Sequence, residues 1–418
     1  MIRAFLSVST VFAIGVPLTL FVNVMLARWL SVEDFGSYSF AYSLASILAL
    51  PVSGGLVLLL TREVSSALQS DDQTRYARLL RTTLAWIAIA TLCIGIVYFG
   101  VQLVRTGQID AIVLLTFSLV PGLALIAFGE GLAKGVERPA LGEALRQIIA
   151  PAVFFIGAAI LWFTGALSSE TALLAQSGAL LLAGLFALVV SIQIMRRIDI
   201  GGFASTEEIR RLGIAFASFA MITGLAVLIS QFATVALGIL SDKEQVAYLK
   251  VAERGSQLVA LPLMFVNAIM GPKLVRAFEG GDMAELRRLS RVSTRLAFAV
   301  ALPIAAVLII GGKPLIAMTF GVEYREAAYT PLVWLCLAQL FFVLMGIPGM
   351  ILAMTNFHLD NLLARTAGAL VLAVSVVALA PAYGALGAAL GVAIGLVAIK
   401  LFTSLSLLRR LGFISGPL

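Results

Sequence analysis

Lys250, Glu253, Arg254 and Gln257 fall at i, i+3, i+4 and i+7 in LSDKEQVAYLKVAERGSQLVALP, Leu240 to Pro262. At 3.6 residues per turn, that spacing gathers four charged or amide side chains on one face about 100° wide. A helix starting near Gln245 rises about 1.5 Å per residue, which puts Arg254 roughly 13 Å along it. That is close to the middle of a hydrocarbon layer about 30 Å thick. A guanidinium pointed at lipid there costs about 3 kcal/mol or more. The face must therefore look onto a wet cavity or a buried partner, and both a cavity lining and a structural ion-pair network satisfy that condition. Its net basic character suits an anion, above all a phosphate, which a guanidinium can clamp through two parallel donors. Gln231, on the preceding apolar stretch, is a weaker member of the same set. Arg28 ends the first apolar run and Arg62 the second. Each either contributes to the same anion chemistry or snorkels to headgroups.

These residues need helices to hold them, and the composition says which kind. The chain is 61% hydrophobic and 12% charged, with a mean hydropathy of +1.05. Soluble proteins lie nearer about 45–50% apolar and about 25% charged. Serial apolar segments of this length imply an all-α polytopic membrane protein, because a helix satisfies its own backbone hydrogen bonds in lipid. Twelve spans are expected, at about 4–27, 38–61, 82–104, 110–133, 141–163, 171–195, 212–239, 246–271, 292–311, 327–353, 361–380 and 383–407. The run after Arg3 continues past Pro17 without a clear cleavage signal and reads as the first helix. With the N-terminus inside, 22 of the 29 Lys and Arg lie on the inner side, which places both termini in the cytoplasm. The net charge of +7 is thus a topology signal and gives no reason to expect nucleic acid.

The chain repeats itself at half its length. LSVEDFGSYSFAYSLASILALP, from Leu30, aligns with the charged stretch at Leu30/Leu240, Ser31/Ser241, Tyr38/Tyr248 and Ser46/Ser256, with Pro51 and Pro262 one residue out of step. Asp72, Arg78 and Leu79 likewise fall opposite Asp282, Arg288 and Leu289. Two six-helix lobes follow, 1–198 and 212–418, joined by a cytoplasmic linker at 199–211. An even number of spans per lobe gives both the same orientation, related by a pseudo-twofold axis along the membrane normal. In the first copy the four polar positions are Phe40, Ser43, Leu44 and Ile47, so the charge serves a task beyond holding the repeat together. Ser205-Thr206-Glu207-Glu208 reads either as the N-cap of a short amphipathic helix at the inner interface or as plain loop. Pro51 and Pro262 are candidate bends at matching places, and glycines such as Gly54, Gly55, Gly384, Gly387, Gly391 and Gly395 permit close helix approach.

Nothing in the sequence points to an enzyme or a cofactor. The one histidine, His358, lies in an inner turn beside Asp360, as a loop residue or a proton sensor. Cys93 and Cys336 sit in apolar segments without metal-ligand spacing. Glu130 with Lys134, and Glu143 with Arg146 and Gln147, read as interfacial pairs near an inner helix end.

ARWLSVEDFGSYSFAYSLA (Ala27 to Ala45) resembles the first outer loop and second helix of the polysaccharide-biosynthesis flippases. These belong to the superfamily of multidrug, oligosaccharidyl-lipid and polysaccharide exporters. The likeness continues in GPKLVRAFEGGDMAELRRL (Gly271 to Leu289), in Phe320 to Leu363, and in PAYGALGAALG (Pro381 to Gly391). The resemblance implies alternating-access flipping of a polyprenyl-pyrophosphate-linked oligosaccharide across a bacterial inner membrane. It also implies a polymerase and glycosyltransferases as functional partners. In such flippases basic residues of the first, second, seventh and eighth helices meet the pyrophosphate, and Arg28, Arg62, Lys250 and Arg254 fall on those helices here. Many relatives carry an acidic residue just after the glutamine of the seventh helix, whereas Phe232 and Ala233 follow Gln231. Coupling then rests on Glu253 or is absent. The alternative reading is a multidrug or organic-cation antiporter of the same superfamily, for which an acidic or aromatic cavity is expected.

Overall fold

The structure, a computed structural model, describes residues 2–70, 72–195, 205–355 and 357–416. The chain is an all-α polytopic membrane protein. It divides into two compact units, Met1–Val227 and Leu228–Leu418. The first contains α1 (Ile2–Trp29), α2 (Val32–Leu48), α3 (Leu50–Ser53), α4 (Leu56–Gln69), α5 (Gln73–Thr106) and α6 (Ala111–Gly135). It continues with α7 (Pro139–Ala144), a π-helical turn at Leu145–Ile149, α8 (Ala150–Phe163), α9 (Ser169–Met195) and the start of α10 (Thr206–Leu240). The second has the end of α10, α11 (Lys243–Glu279), α12 (Met283–Ile310) and α13 (Gly312–Thr319). A 3-10 turn (Val322–Tyr324), α14 (Tyr329–Leu344), α15 (Pro348–Met354) and α16 (His358–Leu411) complete it.

Among the described residues, eight helices are long and apolar enough to cross a membrane, and two further passages are bent pairs, α2 with α3–α4 and α14 with α15. Adding the 37-residue α11 and counting the 54-residue α16, which turns at Gly384, as two passages matches the expected twelve. Their outward sides are apolar: on α5, Leu92 and Ile96, one turn apart, are 65% and 66% exposed.

Local chemistry repeats with the architecture. Asp72 (φ −88°, ψ 80°) caps α5 by accepting from the Arg75 N–H, and Asp282 (φ −82°, ψ 81°) caps α12 by accepting from the Glu285 N–H. A carboxylate there satisfies a donor that the first turn leaves unpaired and complements the positive helix end. A second repeated device pins the start of α2 and of α11. Asp34 Oδ1 accepts from the N–H of Ser169, the first residue of α9, at 3.2 Å; Gln245 Oε1 accepts from the N–H of Ala385, at the turn in α16, at 2.9 Å. Gly384 makes that turn possible: its φ of +54° disfavours a side chain, and a Cβ there would lie 2.4 Å from Gln245 Oε1. Beyond the turn, Gly391 and Gly395 seat the two arms of α16 against each other, since Cβ atoms would fall 2.6 Å from the Val376 nitrogen and 2.3 Å from Leu372 Cβ.

Three expectations change. Ser205 does cap a helix, with its Oγ accepting from the Glu208 N–H at 3.3 Å. That helix is no short interfacial piece: it runs unbroken to Leu240 as α10, because no proline interrupts it. The division between units accordingly falls inside α10, at Val227/Leu228, and not at 199–211, of which 199–204 lie outside the described residues. The paired bends also differ. In the first copy the passage breaks at Ala49, two residues before Pro51, with a 43° bend between α2 and the segment Leu50–Gln69, as expected near that proline. α11 continues as helix through Pro262.

Candidate functional site

The polar face of α11 separates into two parts. Lys250 is enclosed within its own unit at 7% exposure. Its Nζ donates to Glu253 Oε2 at 3.0 Å, to Thr234 Oγ1 at 3.0 Å and to Gln231 Oε1 at 3.5 Å. Gln231 and Thr234 are one turn apart on α10, so the lysine stem runs between the two helices and delivers its charge to their seam. These contacts correspond to the ion-pair alternative for Lys250. A lysine has the reach to turn under a neighbouring helix, and burial is tolerable because all its partners are oxygen acceptors.

Arg254 and Gln257 form the other part. Arg254 Nη1 donates to Gln257 Oε1 at 3.2 Å, and Gln257 is exposed. The Arg254 Nε is buried and has no hydrogen-bond partner. The half-buried Arg254 guanidinium has further N–H groups beyond the one given to Gln257, and a tetrahedral oxyanion can bridge such donors. Arg254 therefore keeps the capacity that Lys250 has spent on protein groups.

Arg28 and Arg62 belong to the first unit. Arg28 is exposed in the last turn of α1. Arg62, at the middle of α4, pairs with its neighbour Glu63 at 3.4 Å. Glu63 is only 3% exposed and also accepts from Arg75 at 2.7 Å and Arg211 at 3.1 Å. The same unit holds a second buried cluster, in which Lys134 bridges Glu130 at 2.6 Å and Glu143 at 2.8 Å, with Arg146 3.5 Å from Glu130. The sequence pairs expected near this helix end thus become one network, next to the π-helical turn. Two acids and two bases balance there, the signature of a structural cluster.

Sequence reasoning missed Thr234, although it lies three residues after Gln231 on the same helix face. It also missed the grouping on Glu63, whose members are far apart in the chain. Lys400, counted among the inner-side bases, is buried at 6% exposure, donating to the Gly346 carbonyl at 2.6 Å and lying over the Phe342 ring.

A sequence model of the family described as "Polysaccharide biosynthesis protein" matches residues 2–277, well over half of the chain. The chain belongs to that family. Solved transporters share the fold of this family member. They include an inward-facing multidrug resistance MATE family transporter of the MOP superfamily, at 14% identity and TM-score 0.75 over 98% of both chains. The lipid II flippase MurJ, in an inward closed conformation, matches at 14% identity and TM-score 0.76 over 97% of this chain and 87% of that one. A MOP superfamily transporter from Pyrococcus furiosus, described as having a binding pocket of reversed polarity, matches at 14% identity and TM-score 0.64 over 98% and 96%. No curated protein matches significantly in sequence. The chain is thus a member of the polysaccharide-biosynthesis family with the fold of the MOP superfamily transporters.

Proposed function

We propose that the protein flips a polyprenyl-pyrophosphate-linked oligosaccharide from the cytoplasmic to the outer leaflet of a bacterial inner membrane, by alternating access between its two lobes. The observation that carries this reading is the half-buried Arg254 guanidinium, which among the described residues donates to exposed Gln257 and pairs with no carboxylate. A pyrophosphate crossing hydrocarbon needs countercharge, and a fixed guanidinium with a free donor supplies it. In this reading Arg254 and Gln257 contact the phosphate, while Lys250, Glu253 and Gln231 hold the base of the site in shape. Arg28 takes part from the first lobe, and Arg62 is engaged elsewhere. Both termini and the segment before α10 face the cytoplasm, as the distribution of bases supports. Polymerase and glycosyltransferases supply and consume the substrate.

The antiporter reading rests on the likeness to the multidrug transporter. It would be served by an acidic site, which the basic surplus on α11 disfavours. Proteoliposomes loaded with a polyprenyl-pyrophosphate-linked oligosaccharide decide between the two. Protein-dependent appearance of lectin-accessible sugar on the opposite leaflet supports flipping. Proton-driven uptake of an organic cation with no sugar movement would overturn it.

A further inference from the structure

The Glu63 cluster carries a charge surplus that packing does not require. Arg62, Arg75 and Arg211 converge on one buried carboxylate, and among the described residues no second acid lies within ion-pair distance of any of them. Arg62 and Arg211 keep 58% and 51% of their side chains exposed. One turn beyond Arg75, the Nε of Arg78 is buried without a hydrogen-bond partner. The Glu130–Lys134–Glu143–Arg146 network in the same unit is balanced, so an excess of this kind is not a general habit of the fold.

The same three helices enclose an apolar groove next to the cluster. It is shallow, with a cavity volume of about 50 Å³, and is lined by Leu56 and Leu59 of α4, Trp86 of α5, and Leu212, Gly213 and Phe216 of α10. Trp86 and Phe216 meet across it with ring centroids 5.3 Å apart. A patch of guanidiniums beside an apolar slot is the complement of an amphiphile with an anionic head. The polar lining is limited to the side chains of Thr82 and Thr83 and the indole of Trp86, few groups for the many hydroxyls of an oligosaccharide. The two exposed arginines are themselves tethered to an immobile carboxylate, an arrangement that retains a ligand instead of passing it on.

We propose that the seam of α4, α5 and α10 binds a glycerophospholipid with an anionic headgroup, its phosphate received by Arg62 and Arg211 and one acyl chain lying in the groove. The lipid neutralises the surplus charge and ties the first turns of α10 to α4 and α5. This site uses none of the residues of the α11 face and does not depend on what the protein transports.

The test uses the full-length protein in detergent and native mass spectrometry with phosphatidylglycerol or phosphatidylcholine added. A base near an anionic head is worth about a fivefold change in binding, so a preference of about tenfold or more for phosphatidylglycerol is expected. The double change Arg62→Gln/Arg211→Gln should abolish the preference. Gly213→Leu should weaken binding of both lipids, because Gly213 lines the groove and a Cβ there meets no protein atom within 4 Å. Circular dichroism of the lipid-stripped proteins checks the fold; Arg62→Gln alone and Gly213→Leu carry the test where the double variant is unstable. Equal retention of the two lipids by the unaltered protein would overturn the proposal, as would unchanged binding in both variants. Displacement of phosphatidylglycerol by equimolar polyprenyl phosphate would also overturn it, by assigning the seam to a carrier lipid.

Discussion

The second passage of each unit is built from the same sequence repeat and put to different use. In the first unit it breaks into α2, α3 and α4, bends by 43°, and presents Phe40, Ser43, Leu44 and Ile47. In the second it is a 37-residue helix presenting Lys250, Glu253, Arg254 and Gln257 at the matching positions. Both copies keep the pin that holds the start of the helix to a later turn, through Asp34 in one and Gln245 in the other. Packing of the repeat needs the pin and not the charges. The polar face on α11 is an addition, and within it Lys250 serves the protein while Arg254 retains an unused donor.

That contrast can be broken at several points. Lys250→Ala should have the largest effect on the folded protein, since it strands the nearly buried Glu253 carboxylate. Removing one partner of a buried pair typically costs about 3–5 kcal/mol. Thermal unfolding in detergent measures it, and Lys250→Met with Glu253→Gln should recover much of the loss. Recovery of stability without recovery of transport would separate the two halves of the face.

Arg254→Ala should leave stability near normal and lower transport by more than about tenfold, in line with about 2–5 kcal/mol for a desolvated charge contact. Arg254→Lys should rescue in part, keeping the charge but losing the planar fork. The readout is surface polysaccharide in a flippase-deficient strain, with membrane protein level checked in parallel. Full surface polysaccharide from Arg254→Ala at normal abundance would show that the phosphate is handled elsewhere.

The turns sharpen the comparison between lobes. Gly384 and Gly165 have positive φ of +54° and +68°, but a Cβ at Gly384 meets Gln245 whereas one at Gly165 meets nothing within 4 Å. Gly384→Ala should therefore destabilise by about 1–3 kcal/mol and Gly165→Ala by less, since backbone strain alone remains there. The smallest effect, about 1 kcal/mol each, is expected for Asp72→Ala and Asp282→Ala, and the two should be equal because the cap geometries coincide. Unequal losses would mean the repeat has diverged at these helix starts.

Hydropathy and periodicity are local properties, and what depends on them could be read from the chain alone. The twelve passages, the offset between Asp72 and Asp282, and the placement of Lys250, Glu253, Arg254 and Gln257 on one turn-spaced face all follow from the 3.6-residue period and the cost of polar groups in lipid. The continuity of α10 was within reach too, since no proline separates Ser205 from Leu240. What needed the packed structure is the direction of long side chains and the company they keep. Lys250 and Arg254 are one turn apart with the same charge, yet the first finds Thr234 and Gln231 on α10 and the second does not. Glu63 gathers Arg75 from twelve residues away and Arg211 from 148 residues away. Lysine and arginine stems span several ångströms with many rotamers, so their partners are set by which helices lie within reach. Helical spacing specifies a face, and the neighbouring helix decides which of its side chains remain available to a ligand.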